Sequence, residues 1–106
     1  MEIRELQKIS HKQAVEKGFW GNRNRNKSEL LMLIVSELGE ACEALRTKNR
    51  QYNFFSWEKD TFEDELADTV IRIADLCEAN DIDLEWQIKQ KLSYNKTRPE
   101  KHGKEF

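Results

Sequence analysis

Residues 28–48 read SELLMLIVSELGEACEALRTK, and this stretch decides the fold. It holds no proline and one glycine, and it is rich in leucine, alanine and glutamate, which favour a helix. Ser28 is a good N-cap residue for a helix over 28–48. Its first half, Leu30 to Val35, is apolar all round. A helix of that kind is covered on more than one side, and in so short a chain this predicts a partner subunit. At about 100° per residue, Glu37 points the same way as Leu30, Leu33, Ala41 and Ala44, with Glu40 beside that stripe. An acid in a leucine and alanine seam breaks the binary pattern, and burying an unpaired carboxylate is costly. Local rules tend to fail at functional sites.

Three more helical patterns flank this one. The first covers 3–17, with Leu6, Ile9, Gln13 and Ala14 on a stripe, and the loop GFWGNRNRNK at 18–27 ends it. The segment 49–57, NRQYNFFSW, reads as an aromatic and polar loop. A third helix is predicted over 59–79, where Phe62, Leu66, Val70, Ile73 and Cys77 share one face. A fourth is predicted over 83–96, capped by Asp83, and Pro99 forbids its continuation. The expected fold is all-α: a small antiparallel helical bundle of about four helices, completed by oligomerisation. The 106 residues fit one domain, with 98–106 as a tail.

The net charge of −2, from 18 basic and 20 acidic residues, argues against a general nucleic-acid or membrane-surface binder. Basic residues gather at Arg23, Arg25 and Lys27 and again from Lys89 to Lys104. Three of them in one loop are thin support for nucleic-acid binding. The N-terminus is charged throughout, unlike a signal peptide, and no apolar run is long enough to span a bilayer, so a cytoplasmic protein is expected. Cys42 and Cys77 lie far apart inside apolar runs and read as reduced thiols.

The chemistry-bearing pattern is a set of acids. Glu37 and Glu40 are three residues apart, as are Glu65 and Asp68, so each pair shares a helix face. Two such pairs on neighbouring helices repel one another unless a cation lies between them. Hard oxygen ligands suit Mg²⁺ or Mn²⁺. On the third helix the competing reading is a solvated stripe of Glu65, Asp68, Arg72 and Asp75 opposite the apolar face. Glu43 reads as surface, His11 as a surface histidine and His102 as tail.

The segments SELGEACEALR (36–46) and EDELADTVIRIADL (63–76) resemble the MazG-type all-α nucleoside triphosphate pyrophosphohydrolases. The family signature is ExxE, a spacer, then ExxD, matched here by Glu37, Glu40, Glu65 and Asp68. A later Lys-x-x-x-Asn, Lys91 and Asn95, also resembles the family pattern. The resemblance spans roughly residues 28–98. It implies hydrolysis of a nucleoside triphosphate to the monophosphate and pyrophosphate, in nucleotide-pool house-cleaning, by a homodimer or homotetramer. It makes all four acids Mg²⁺ ligands. Glu37 or Glu40 would double as general base, on the argument that an acid in an apolar seam has a raised pKa. Lys91, Asn95, Lys96 and Arg98 would take the phosphates, and Trp20 or Trp57 would stack on the base. A phosphoribosyl-ATP pyrophosphatase, a specialised dCTP or dUTP hydrolase, and a non-catalytic oligomerisation module are the alternatives.

Overall fold

A computed structural model of the chain describes residues 1–21 and 25–99. Arg23 of the first basic cluster and the tail from residue 100, with His102, lie outside the described residues. Among these residues there are four helices and no strand: α1 Ile3–Glu16, α2 Lys27–Arg46, α3 Phe62–Ala79 and α4 Leu84–Lys96. The all-α bundle expected from the sequence is what the chain forms.

Two helix starts differ from expectation. The cap of α2 is Asn26, whose side chain accepts from the backbone N–H of Ser28 and Glu29, so Ser28 is already inside the helix. Helix α3 begins three residues after Lys59, because Asp60 adopts a left-handed φ of 64° that no helix accommodates. Thr61 then caps it through Asp64 N–H. Asp83 caps α4 as expected, through Trp86 N–H. Helices α1, α2 and α3 end alike, in a left-handed residue: Gly18, Lys48 and Asp81. The next amide then turns back to a carbonyl of the last turn, Phe19 to Ala14, Asn49 to Ala44 and Ile82 to Cys77.

Helix α3 is the centre, with α1 and α2 both packed along it. Asn49 meets Phe62 at one end of the α2–α3 pair and Glu37 meets Arg72 further along, so α2 runs antiparallel to α3. Contacts of Gln7 with Glu78 and His11 with Asp75 give α1 the same sense. Helix α4 leans on α1, tied by Arg4 to Asp83 and Glu85, and none of its residues is buried. No described helix is long and apolar enough to cross a membrane.

The apolar core is made of small side chains. Ala14, Ala41, Ala44 and Ala74 are buried with Leu30, Ile34 and Cys77. Polar groups share that interior: Gln7, Ser10, Glu37, Thr61, Glu65 and Thr69. On α3 the solvated-stripe reading is reversed. Glu65 is buried, while Leu66 and Val70 on the apolar side are 41% and 50% exposed. On α2, Leu31, Val35, Leu38, Cys42 and Leu45 follow a four–three–four–three spacing and all are exposed. Cys42 is therefore an open thiol, contrary to the buried setting its apolar run implied, whereas Cys77 is buried.

Gln7 shows how the interior is held. Its Nε2 donates to Ile82 O at 2.7 Å, and its Oε1 accepts from Leu84 N–H at 3.0 Å, fixing α1 to the α3–α4 turn. Gln7→Leu fits the space but strands both backbone groups. It is expected to cost about 2–4 kcal/mol in urea unfolding with native helix content unchanged. A loss below about 0.5 kcal/mol, the scale of a surface change, contradicts this role.

Candidate metal centre

Helices α2 and α3 bring three of the four predicted acids together. Glu37, Glu65 and Asp68 each offer a carboxylate oxygen, and these oxygens lie within 4.8 Å of one another. Glu37 comes from the buried seam of α2, between Ile34 and Ala41. Glu65 and Asp68 come from one turn of α3. Thr69, beside them, keeps its hydroxyl on Glu65 O at 2.8 Å. Glu40 stands on the exposed side, outside this trio, yet its carboxyl interacts with both Glu37 and Glu65.

The electrostatics of the trio are uneven. Glu65 is only 5% exposed, and its Oε2 is buried without a hydrogen-bond donor. Its neighbours, Glu37 and Glu40, are acceptors themselves. Burial, then sharing of a proton with Glu37 and Glu40, pushes the Glu65 carboxyl up to about 7. Burial, then Asp64 and Glu37, pushes Asp68 up as well. Burial works the same way on Glu37, but the Arg72 Nε–H at 2.7 Å, with help from Glu65 and Glu40, outweighs it and leaves Glu37 below the usual carboxylate range. This corrects the expectation of a raised Glu37: the raised acid is Glu65.

A divalent cation fits this donor set. The three carboxylates are hard oxygen donors on two helices, and Glu65 among them carries a buried oxygen without a partner, so the group could hold a divalent cation.

The remaining predicted residues are dispersed. Lys91, Asn95 and Lys96 are exposed on α4, which packs on α1 rather than on the acid-bearing pair. Lys91 and Arg98 lie 5.0 and 5.2 Å from the Tyr94 ring, so within one chain these four residues do not meet the acids. Trp20 is half-buried and donates its indole N–H to both oxygens of Asp75, at 2.9 and 3.0 Å. Arg25 sits 5.6 Å over its ring. Trp57 is exposed and donates to Asp64 at 3.1 Å, beside a cavity lined by Gln51, Phe54 and Ala67.

Three residues of this region were not assigned from the sequence. His11 is not a free surface histidine: its Nδ1 lies 2.8 Å from Asp75, and its ring meets Trp20 edge-on at 5.5 Å. Asp75 anchors both. Arg72 holds Glu37. The available signal was spacing, since Asp68, Arg72 and Asp75 continue one α3 face from Glu65. No protein-family model matches the chain, and no curated protein or solved structure matches it.

The raised Glu65 predicts an inverse pH dependence. Its protonated form stabilises the metal-free fold fully below the ordinary glutamate range, near 4.3, and that contribution is lost as pH rises through about 7. The metal-free Tm is therefore expected to fall between pH 5 and roughly 7.5, and saturating Mg²⁺ to abolish the fall by replacing the proton. Scanning calorimetry with EDTA and with Mg²⁺ reads this. A metal-free Tm that rises over that range contradicts it.

Proposed function

We propose that this chain is a Mg²⁺-dependent nucleoside triphosphate pyrophosphohydrolase, cutting its substrate to the monophosphate and pyrophosphate. The observation that carries the reading is the convergence of carboxylate oxygens of Glu37, Glu65 and Asp68 within 4.8 Å of one another, with Glu65 also holding a buried oxygen that has no partner. It joins the ExxE and ExxD pairs, which resemble the MazG-type enzymes.

Glu37, Glu65 and Asp68 would hold Mg²⁺ from α2 and α3, and the ion would offset the triphosphate charge and make water a better nucleophile. Glu37 is tied to Arg72 and held ionised, which makes it a ligand rather than a base. Glu40, on the open side and in contact with the trio, accepts the proton of the attacking water. The nucleobase would stack on Trp20, which is bonded to Asp75, or on Trp57, which is bonded to Asp64.

The working form is an oligomer of this chain. The open stripe of α2 and the open side of α3 form one apolar face on an antiparallel helix pair. Two such pairs close a four-helix bundle, for which a four–three spacing is suited. Lys91, Asn95, Lys96 and Arg98, which do not meet the acids within one chain, would reach the phosphates only from a neighbouring copy.

A panel of nucleoside and deoxynucleoside triphosphates with Mg²⁺ is expected to yield pyrophosphate. Release of inorganic phosphate, or no turnover of any member, overturns the reading. Glu40→Gln and Asp68→Asn are expected to stay folded and lose turnover by about 100-fold or more. Wild-type rates in either variant remove that residue from the site. Leu38→Glu is expected to yield monomers in light scattering. Mixing two inactive variants, Asp68→Asn and Lys91→Ala, is expected to restore part of the activity if the site is shared. No recovery in mixed oligomers places Lys91 outside the neighbouring site.

A further inference from the structure

The acids on α2 and α3 already have a cation of their own. Arg72 projects from α3 one turn beyond Asp68, and its Nε–H donates to Glu37 Oε1 at 2.7 Å. Glu37 is also one of the three residues whose oxygens converge. One carboxylate thus belongs to two constellations, an ion pair and a cation site. The Arg72 side chain is not locked in the interior, since 41% of it is exposed. It also lines a cavity of about 500 Å³ between α1 and α3, with Gln13, Lys17, Phe19 and Ile71. The cavity wall carries two cationic side chains, Arg72 and Lys17, and two acidic ones, Glu16 and Asp75, beside the Phe19 ring, so its charges balance.

We infer that Arg72 is a resident counter-ion: it occupies the Glu37 carboxylate in the metal-free protein, yields that carboxylate to the incoming divalent cation, and then offers its guanidinium to an anionic ligand beside that cation. This inference rests on the metal-site reading above and adds the residue that the ion displaces. The physical reason is charge. Without a metal, Arg72 is the cation in hydrogen-bonding contact with the trio, and it stabilises Glu37 as an ion. With a divalent cation bound, a guanidinium against the same carboxylate repels it at short range. The arginine is then better placed against phosphate, which its forked donors match. Ion and arginine compete for Glu37, while arginine and ion cooperate on a polyphosphate.

The competition gives a signature that a merely structural ion pair does not. Arg72→Gln keeps a donor for Glu37 and loses the charge. In calorimetric titration with Mg²⁺ alone, it is expected to bind the ion more tightly than wild type, on the order of tenfold. Arg72→Lys is expected to bind close to wild type. Inorganic pyrophosphate, titrated into Mg²⁺-loaded protein, is expected to bind Arg72→Gln on the order of tenfold more weakly than wild type. If Arg72 only braces Glu37, Arg72→Gln binds Mg²⁺ as well as or less well than wild type, and the inference is overturned. The wild-type chain offers a test that needs no folded Gln variant. The Arg72 Nε–H resonance, assigned by its loss in Arg72→Lys, is expected to shift when Mg²⁺ saturates the protein. A wild type that binds Mg²⁺ with that resonance unmoved overturns this inference alone. A wild type that binds no Mg²⁺ overturns the site reading along with it.

Discussion

The structure turns on a carboxylate placed where water cannot reach it. Glu65 lies against α2 with one oxygen buried and no donor beside it, and the groups next to it are other acids. Burying an ionised carboxylate without a partner costs several kcal/mol, so the group stays neutral at the expense of a raised pKa or takes a cation. A proton shared with Glu37 and Glu40 keeps Glu65 neutral in the chain as it stands. Oxygens of Glu37, Glu65 and Asp68 lie within 4.8 Å of one another, where a cation could be held. Arg72 favours the charged form of Glu37, which holds its carboxyl below the usual range while Glu65 is raised.

This constraint also explains the orientation of α3. An amphipathic helix in a monomer turns its apolar stripe inward. Helix α3 instead directs Glu65, Thr69 and Asp75 toward α1 and α2 and leaves Leu66 and Val70 open. Alanines make this possible. Ala41 and Ala44 on α2 and Ala74 on α3 are buried, and small side chains of this kind allow helices to approach closely. Larger residues in those places would hold the carboxylates apart.

The legible part of the sequence was whatever local pattern controls. The anomaly of Glu37 in a seam of Leu30, Ala41 and Ala44 pointed to burial of an acid, and the acid is buried with those residues. The all-α fold and the cap at Asp83 followed from equally local signals. What the sequence left open was whether the polar stripe on α3 faces water or the neighbouring helices, and Glu65 is buried. Periodicity gives the relative position of residues on a helix but not which face meets the neighbour. That choice depends on how α1 and α2 are placed, which no single-helix pattern encodes. For the same reason His11 and Trp20 looked like separate surface and loop residues, although Asp75, more than fifty positions away, holds both. The start of α3 was hidden for a backbone reason: the left-handed Asp60 is not a residue type that announces such a turn as glycine does.

The placement of the acids and the openness of the chain are one problem. A core built largely of alanines removes little apolar surface from water, and it must also offset the desolvation of Glu37 and Glu65. The larger apolar side chains, Leu31, Val35, Leu38, Leu45, Leu66 and Val70, all lie on the outside of the α2–α3 pair. Burial of those side chains by association adds hydrophobic stabilisation to the pair that carries the acids, without altering the inner face where the acids meet. A fold that spends its inner face on charge and its outer face on cohesion keeps the chemistry from competing with the packing. The same two helices carry both faces.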